Sequence, residues 1–284
     1  MRIDAHQHFW KYDSVRDSWI DESMQVIRRD FLPEDLEPVL KQNNVDGCIA
    51  VQADQSEEET VFLLDLASKN PFVKGVVGWV DLCSDDIQQR LEYFSENNLF
   101  KGVRHIVQGE KDDFVLGEKF QNGIGKLAQY DLVYDILIFP KQLQSAIELV
   151  KKFPKQKFVL DHIAKPSVSD EIDETWVNGI EELAKYSNVS CKVSGIVTEA
   201  KKFIWEEKQL KVFLDCVFSS FGVDRILYGS DWPVCLLAAE YKEVLAIVEN
   251  YIKDYSEEDQ AKILGGNAIS IYNLLLKNGF TIKK

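Results

Sequence analysis

From one end to the other, the sequence alternates between short runs rich in Val and Ile and longer amphipathic stretches. The short runs occupy residues 2–5, 45–51, 73–80, 102–107, 132–139, 157–160, 189–193 and 225–228. Several are apolar on both faces, which a strand tolerates only where both sides are covered, as in a parallel sheet flanked by helices. Helical patterns open at Pro33, Ser56, Ser84, Pro140, Asp173, Glu207, Ala239 and Ser256, the last with Leu274 and Leu275 near its end. Pro33 suits a first turn, where no backbone donor is lost, and Ser56-Glu57-Glu58-Glu59 reads as a capping box. Eight such alternations predict an α/β chain folded as one (β/α)8 TIM barrel, a single domain over residues 1–284. An open doubly wound sheet is the competitor, but no glycine-rich phosphate loop follows the first run. Residues 9–32, with Trp, Arg and Asp but no strand pattern, read as a long loop over the top of the barrel.

Charge and cysteine usage restrict the partners. The formal net charge of −14 repels polyanions, which argues against nucleic acid and anionic membranes. No apolar run reaches membrane-spanning length, and the opening MRIDAHQHFW lacks the apolar core of a signal peptide. The five cysteines are scattered, odd in number and without a CxxC pair, so reduced thiols and a cytoplasmic location are expected. The expected partner is a small-molecule substrate, and a homo-oligomer is compatible with the sequence.

The chemistry-bearing residues fall where a barrel gathers them. His6, His8, His105 and His162 are the four histidines, and each falls at the C-terminal end of a predicted strand, the active-site face of a barrel. His6 and His8 stand two apart, so on a strand both rings enter one cavity. They suit a metal-ligand pair, or two donors aimed at a carbonyl oxygen, or packed polar residues at the barrel mouth. Asp161-His162 closes strand six; strand neighbours point to opposite faces, so His162 is the favoured cavity residue. Asp231, in Gly229-Ser230-Asp231-Trp232-Pro233 after strand eight, is the general-base candidate, with helix capping as the plainer role. Trp232 reads as a pocket wall or as packing. Arg104 and His105 alternate in direction, so one of them faces the cavity; a guanidinium there suits a carboxylate or polyhydroxyl substrate. Lys165 is either a cation for a substrate oxygen or a loop lysine. Lys192 and Ser194 end strand seven, and no local base motif supports Ser194 as a nucleophile.

Together and in order, Asp4-Ala5-His6-Gln7-His8-Phe9-Trp10, Gly102–His105, residues 160–166, Ser230-Asp231-Trp232-Pro233 and Leu264-Gly265-Gly266-Asn267-Ala268 resemble the amidohydrolase superfamily. Within it they resemble the amidohydrolase-2 branch, which contains sugar-acid lactonases and 2-pyrone-4,6-dicarboxylate lactonase. The resemblance spans nearly the whole chain. It implies a barrel, hydrolysis of a cyclic ester, and a site built on His6, His8, His162 and Asp231. Strand five ends in Ile138-Phe139-Pro140 without a histidine, and strand four ends in Arg104-His105 rather than a bridging lysine. That departure from the two-metal pattern implies a mononuclear site on His6, His8, His162 and Asp231, zinc first among divalent ions, or no metal at all.

These observations converge on a lactonase. Asp231 is the expected base, His6, His8 and His162 polarise the carbonyl, and Arg104, His105, Lys165 and Trp232 position the substrate. A metal-dependent decarboxylase of the same branch and a non-catalytic sugar-acid-binding barrel are the alternatives.

Overall fold

The eight Val- and Ile-rich runs become eight parallel strands, paired in sequence order. They are β1 (Ile3–Gln7), β2 (Gly47–Val51), β3 (Val73–Gly78), β4 (Phe100–Ile106), β5 (Val133–Leu137), β6 (Phe158–Leu160), β7 (Val189–Val193) and β8 (Ile226–Tyr228). This computed structural model describes residues 1–169 and 171–274. Closure comes from the strand ends: Gln7 pairs with Trp232 in a parallel bridge. The His8 amide donates to the Trp232 carbonyl at 2.7 Å, and the Asp231 amide to the His6 carbonyl at 2.8 Å. The bonds that shut the barrel therefore also set the register of the residues at its mouth.

Helices surround the strands: α1 (Pro33–Gln42), α2 (Glu57–Lys69), α3 (Ile87–Ser95), α4 (Glu118–Leu127), α5 (Leu143–Lys152), α6 (Glu174–Ala184), α7 (Glu207–Phe221) and α8 (Tyr241–Ile252). Among the described residues, none is long and apolar enough to cross a membrane. Ser56 caps α2 by accepting the Glu59 amide at 3.2 Å. The Glu59 carboxylate does not complete a capping box; it turns upstream to the amides of Ala53 and Asp54. The sequence pattern missed α4. Its EKFQNGIGKL carries two glycines, which lower helix propensity. Gly123 is there for contact: a Cβ at that position would lie 2.3 Å from the Leu82 carbonyl oxygen.

Two apolar layers result. The larger fills the space between strands and helices. The smaller lies inside the barrel floor and joins Ile3, Ala5, Ile49, Val51, Val77, Val133, Val159 and Leu227. Each Val, Leu or Ile side chain among them contributes about 1.5–3 kcal/mol on burial. The stretch opening at Ser256 is not one helix but α9 (Glu257–Ala261), a wider turn over Lys262–Gly266, and α10 (Asn267–Ile271). It brings Ala268, Tyr272 and Leu274 under the barrel as a plug. Leu275, expected near that helix end, lies outside the described residues. Residues 9–32 are more ordered than a plain loop: Glu22–Ile27 forms a 3-10 segment, and Trp10 pairs with Phe31 in an antiparallel bridge.

Candidate active site

β1 delivers His6 and His8 to one side, as the two-residue spacing requires. The His8 Nδ1 sits 2.7 Å from the Val51 carbonyl oxygen. A carbonyl only accepts, so Nδ1 carries the proton and Nε2 presents a lone pair to the cavity. That Nε2 faces His6 Nε2 at 3.2 Å and Asp231 Oδ1 at 3.4 Å. Asp231 Oδ1 is also 3.8 Å from His6 Nε2 and 3.9 Å from His162 Nε2.

Asp231 reaches this position because the chain leaves the strand after β8 and turns through a left-handed residue, φ 59°. Aspartate tolerates that region better than most side chains. His162 arrives by a sharper route. β6 stops at Leu160, and His162, Ile163, Ala164 and Lys165 all have positive φ, between 48° and 61°. Strand alternation therefore no longer applies, and both Asp161 and His162 enter the barrel. Four left-handed residues cost about 1–2 kcal/mol each. The turn is pinned by the Trp176 indole donating to the Ile163 carbonyl at 2.8 Å and by Ser194 Oγ, 2.9 Å from His162 Nδ1. Gly195, φ 63°, packs on this turn; a Cβ there would lie 2.6 Å from His162 Nδ1 and 3.0 Å from Asp231 Oδ2.

The electrostatics follow from burial and neighbours. Burial pushes the His6 and His162 rings well below the usual imidazole range, so both are neutral bases or ligands near pH 7. Burial alone would raise the Asp231 carboxyl, but His162, His8 and Lys165 outweigh it and hold it below its ordinary value. Asp161 behaves alike: Lys192, His6 and Arg104 overcome burial and hold it well below the carboxylate range.

The cavity measures about 300 Å³ and is lined by His8, Trp10, Trp19, Ala53, Arg104, Ile106, Gln108, Leu137, His162, Lys165, Asp231 and Val234. That volume is at the small end of the range of about 300–1,000 Å³ for small-molecule sites. Arg104 faces in, donating from Nη1 to Asp161 Oδ2 at 3.2 Å and from Nη2 to the Gln52 carbonyl. Lys165 lies at the rim, 2.8 Å from Glu199.

Two sequence candidates stand elsewhere. His105 points away from the barrel interior: it stacks on Phe114 with centroids 4.9 Å apart, accepts from the Trp79 indole, and meets Glu110 at 3.2 Å. Trp232 is buried edge-on against Phe31 and Phe9, outside the cavity lining. Trp10 and Trp19, from the 9–32 segment, supply the aromatic wall instead; the tryptophan density of that segment was the available signal. Of the other polar residues here, Asp135 lies inside a run that reads as buried strand, Gln52 follows directly on another, and Asp161 is the residue that strand alternation turns away from the cavity.

The donor set fits one divalent cation. Ligands at zinc's 2.0–2.1 Å bond lengths stand about 3.3 Å apart in a tetrahedron. His6 Nε2, His8 Nε2 and Asp231 Oδ1 are separated by 3.2, 3.4 and 3.8 Å. Two proton placements satisfy His6. Either Lys192 donates to Nδ1, 3.2 Å away, or Nδ1 carries the proton toward Asp161 Oδ1 at 3.4 Å. The second leaves three bare donor atoms converging, the arrangement a metal satisfies.

The chain is similar to several known proteins. An L-fucono-1,5-lactonase of Burkholderia multivorans is 37% identical over 96% of both chains. An L-fucono-1,5-lactonase of Burkholderia ambifaria is 36% identical, again over 96% of both. A crystal structure of an amidohydrolase from Burkholderia multivorans with bound zinc superposes with a TM-score of 0.93, at 37% identity, covering 97% of this chain and all of that one. The amidohydrolase family model matches residues 3–274, and the chain belongs to that family.

Proposed function

We propose that the protein hydrolyses the ring ester of a small sugar-acid lactone, with a six-membered 1,5-lactone as the first candidate. The observation that carries this is the buried Asp231 carboxyl held against His8 and His162 at the floor of a cavity sized for one sugar ring. The lactonase relatives support the substrate class.

The residues divide the work by chemistry. Trp10 and Trp19 offer an apolar face to the ring, while Arg104, Gln108 and Lys165 offer donors to its hydroxyls and carbonyl. Asp231 takes a proton from water as the water oxygen adds to the lactone carbonyl carbon. His162, with Nδ1 accepting from the Ser194 hydroxyl and Nε2–H turned to the cavity, and the Arg104 guanidinium stabilise the charge that develops on the carbonyl oxygen, normally the largest catalytic term. The bond from carbonyl carbon to ring oxygen then breaks, and Asp231 returns its proton to that oxygen as it leaves. The product is an open-chain hydroxy acid. When bound by His6, His8 and Asp231, with His162 adjacent, a divalent cation such as zinc supplies Lewis-acid charge stabilisation. With five free thiols, we place the enzyme in the cytoplasm.

A pH-indicator screen of aldonolactones and dicarboxylate lactones, with and without chelator, tests the reading. Acid release from at least one sugar-acid lactone is expected. Failure across the whole panel, with zinc supplied, rejects it.

A further inference from the structure

The guanidinium of Arg104 is buried in the cavity wall, and one turn of chain holds it. That turn leaves β2 at Gln52 and runs to the start of α2. The Gln52 carbonyl accepts from Arg104 Nη2. The Gln52 side chain meets β4 twice more: Oε1 lies 3.4 Å from Nη2, and Nε2 donates to the Arg104 carbonyl at 3.1 Å. Three residues on, Gln55 Oε1 accepts the Ile106 amide at 2.7 Å. The turn is thus tied at both ends to the part of β4 that carries Arg104. On its other side the guanidinium donates from Nη1 to Asp161 Oδ2 at 3.2 Å. Arg104 Nε has no partner among the described residues, so the Nη contacts alone set its direction.

The turn has left the sheet, and its own amides need acceptors. The Ala53 and Asp54 amides both donate to Glu59 Oε2, at 3.1 and 2.6 Å, from the first turn of α2. The Ala53 N–H and the Gln52 C=O belong to one planar peptide group. Glu59 and Arg104 therefore grip opposite ends of the same rigid unit. Hydrogen bonds in such a chain also polarise and strengthen one another. Glu59 itself is absent from the cavity lining, so it has no direct contact to offer a substrate there. Burial pushes its carboxyl up to about 7. The grip does not depend on that titration, because Oε2 can accept both amides in the acid as in the carboxylate.

We propose that Glu59 is a positioning residue for Arg104: by holding the Gln52–Ala53 peptide it aims the guanidinium at the carbonyl oxygen of the substrate. The catalytic consequence rests on the lactone reading, whereas the aiming of the guanidinium does not.

The test uses the full-length chain and four variants: Glu59→Leu and Glu59→Ala, which remove the acceptor, Glu59→Gln, which keeps one oxygen, and Ala67→Gly, which loosens α2 elsewhere. Lactone hydrolysis is measured beside the 15N–1H resonance of Arg104 Nε, assigned by its loss in Arg104→Lys. In Glu59→Leu and Glu59→Ala, kcat is expected to fall by about 10- to 100-fold, the scale of loss from a displacement of about 1 Å. The Nε–H resonance is expected to shift and to exchange faster with solvent. Glu59→Gln restores both readouts toward wild type, and Ala67→Gly lowers Tm while moving neither. A folded Glu59→Leu or Glu59→Ala chain whose Arg104 resonance stays in place overturns the proposal, whatever its kcat. So does an equal shift in Ala67→Gly, and so does failure of both acceptor-free variants to fold. A wild type that hydrolyses no lactone defeats the lactone reading alone, and the Arg104 resonance still decides the positioning role.

Discussion

Asp231 Oδ1 lies 3.4 Å from His8 Nε2, and the ring is locked in place because its other nitrogen donates to Val51. The base and its neighbour are therefore fixed by the backbones of three strands, not by side-chain rotamers alone. Replacing the carboxylate with the isosteric amide, Asp231→Asn, keeps the shape and removes the base. We expect hydrolysis to fall by about 10²–10⁴-fold, the usual worth of general-base catalysis. A melting temperature close to wild type, read by circular dichroism, separates this from unfolding. Full activity in a folded Asp231→Asn chain sinks the assignment.

The pH dependence follows from the same cluster. The active form of Asp231 is the carboxylate, and its neighbours hold its pKa below the ordinary 3.8 despite burial. A depressed pKa keeps the base ionised as pH falls. The acid limb of kcat/KM therefore lies below the ordinary carboxylate range. An acid limb centred near or above about pH 5, with the fold intact, contradicts this electrostatic picture.

Lys165 sits at the rim and is partly satisfied by Glu199 at 2.8 Å. Its role is to hold a substrate oxygen, before and during reaction alike. Lys165→Met should raise KM by about tenfold, a loss of about 1.4 kcal/mol, with kcat little changed. A drop confined to kcat would instead give Lys165 a part in the chemical step.

His105 gives the opposite expectation. It faces away from the cavity and serves Trp79, Glu110 and Phe114. His105→Leu should leave kcat/KM unchanged within about twofold while costing about 1–3 kcal/mol of stability, because the Trp79 indole loses its acceptor. Steady-state kinetics beside a denaturant melt decides between this and a substrate contact.

Ala164 is fully buried and left-handed, φ 61°. Ala164→Gly removes a methyl worth about 0.8 kcal/mol and adds backbone entropy, but relieves about 1–2 kcal/mol of conformational strain. The two nearly cancel, so stability should change by less than about 0.5 kcal/mol. Ala67→Gly, in the regular helix α2, should cost at least about 1 kcal/mol by comparison. Equal losses at the two positions would show that the turn stores no strain.

The barrel and its four mouth residues were legible because periodicity and spacing are local signals. Strands apolar on both faces announce a covered parallel sheet, and the pair His6 and His8 reports a shared direction through the two-residue repeat. What was not legible depended on where regular structure stops. Asp161 and His162 share the cavity because β6 ends one residue before them, and a left-handed run with a β-branched Ile163 has no sequence signature. Asp135 and Lys192 meet across the barrel interior, a contact set by strand tilt and not by spacing. Helix α4 was hidden by glycines chosen for the approach of Leu82.

The plug under the barrel has a consequence for synthesis. Tyr272 and Leu274 complete the interior floor, and the Tyr272 hydroxyl holds Asp135 below Lys192 and His6. A chain that has emerged only as far as β8 has all eight strands but an uncovered apolar floor, and an Asp135 held by Lys192 without Tyr272. The floor of the barrel is therefore completed only after residue 274 has cleared the exit tunnel. Until then the nascent barrel exposes apolar surface of the kind that makes incomplete folds prone to aggregation.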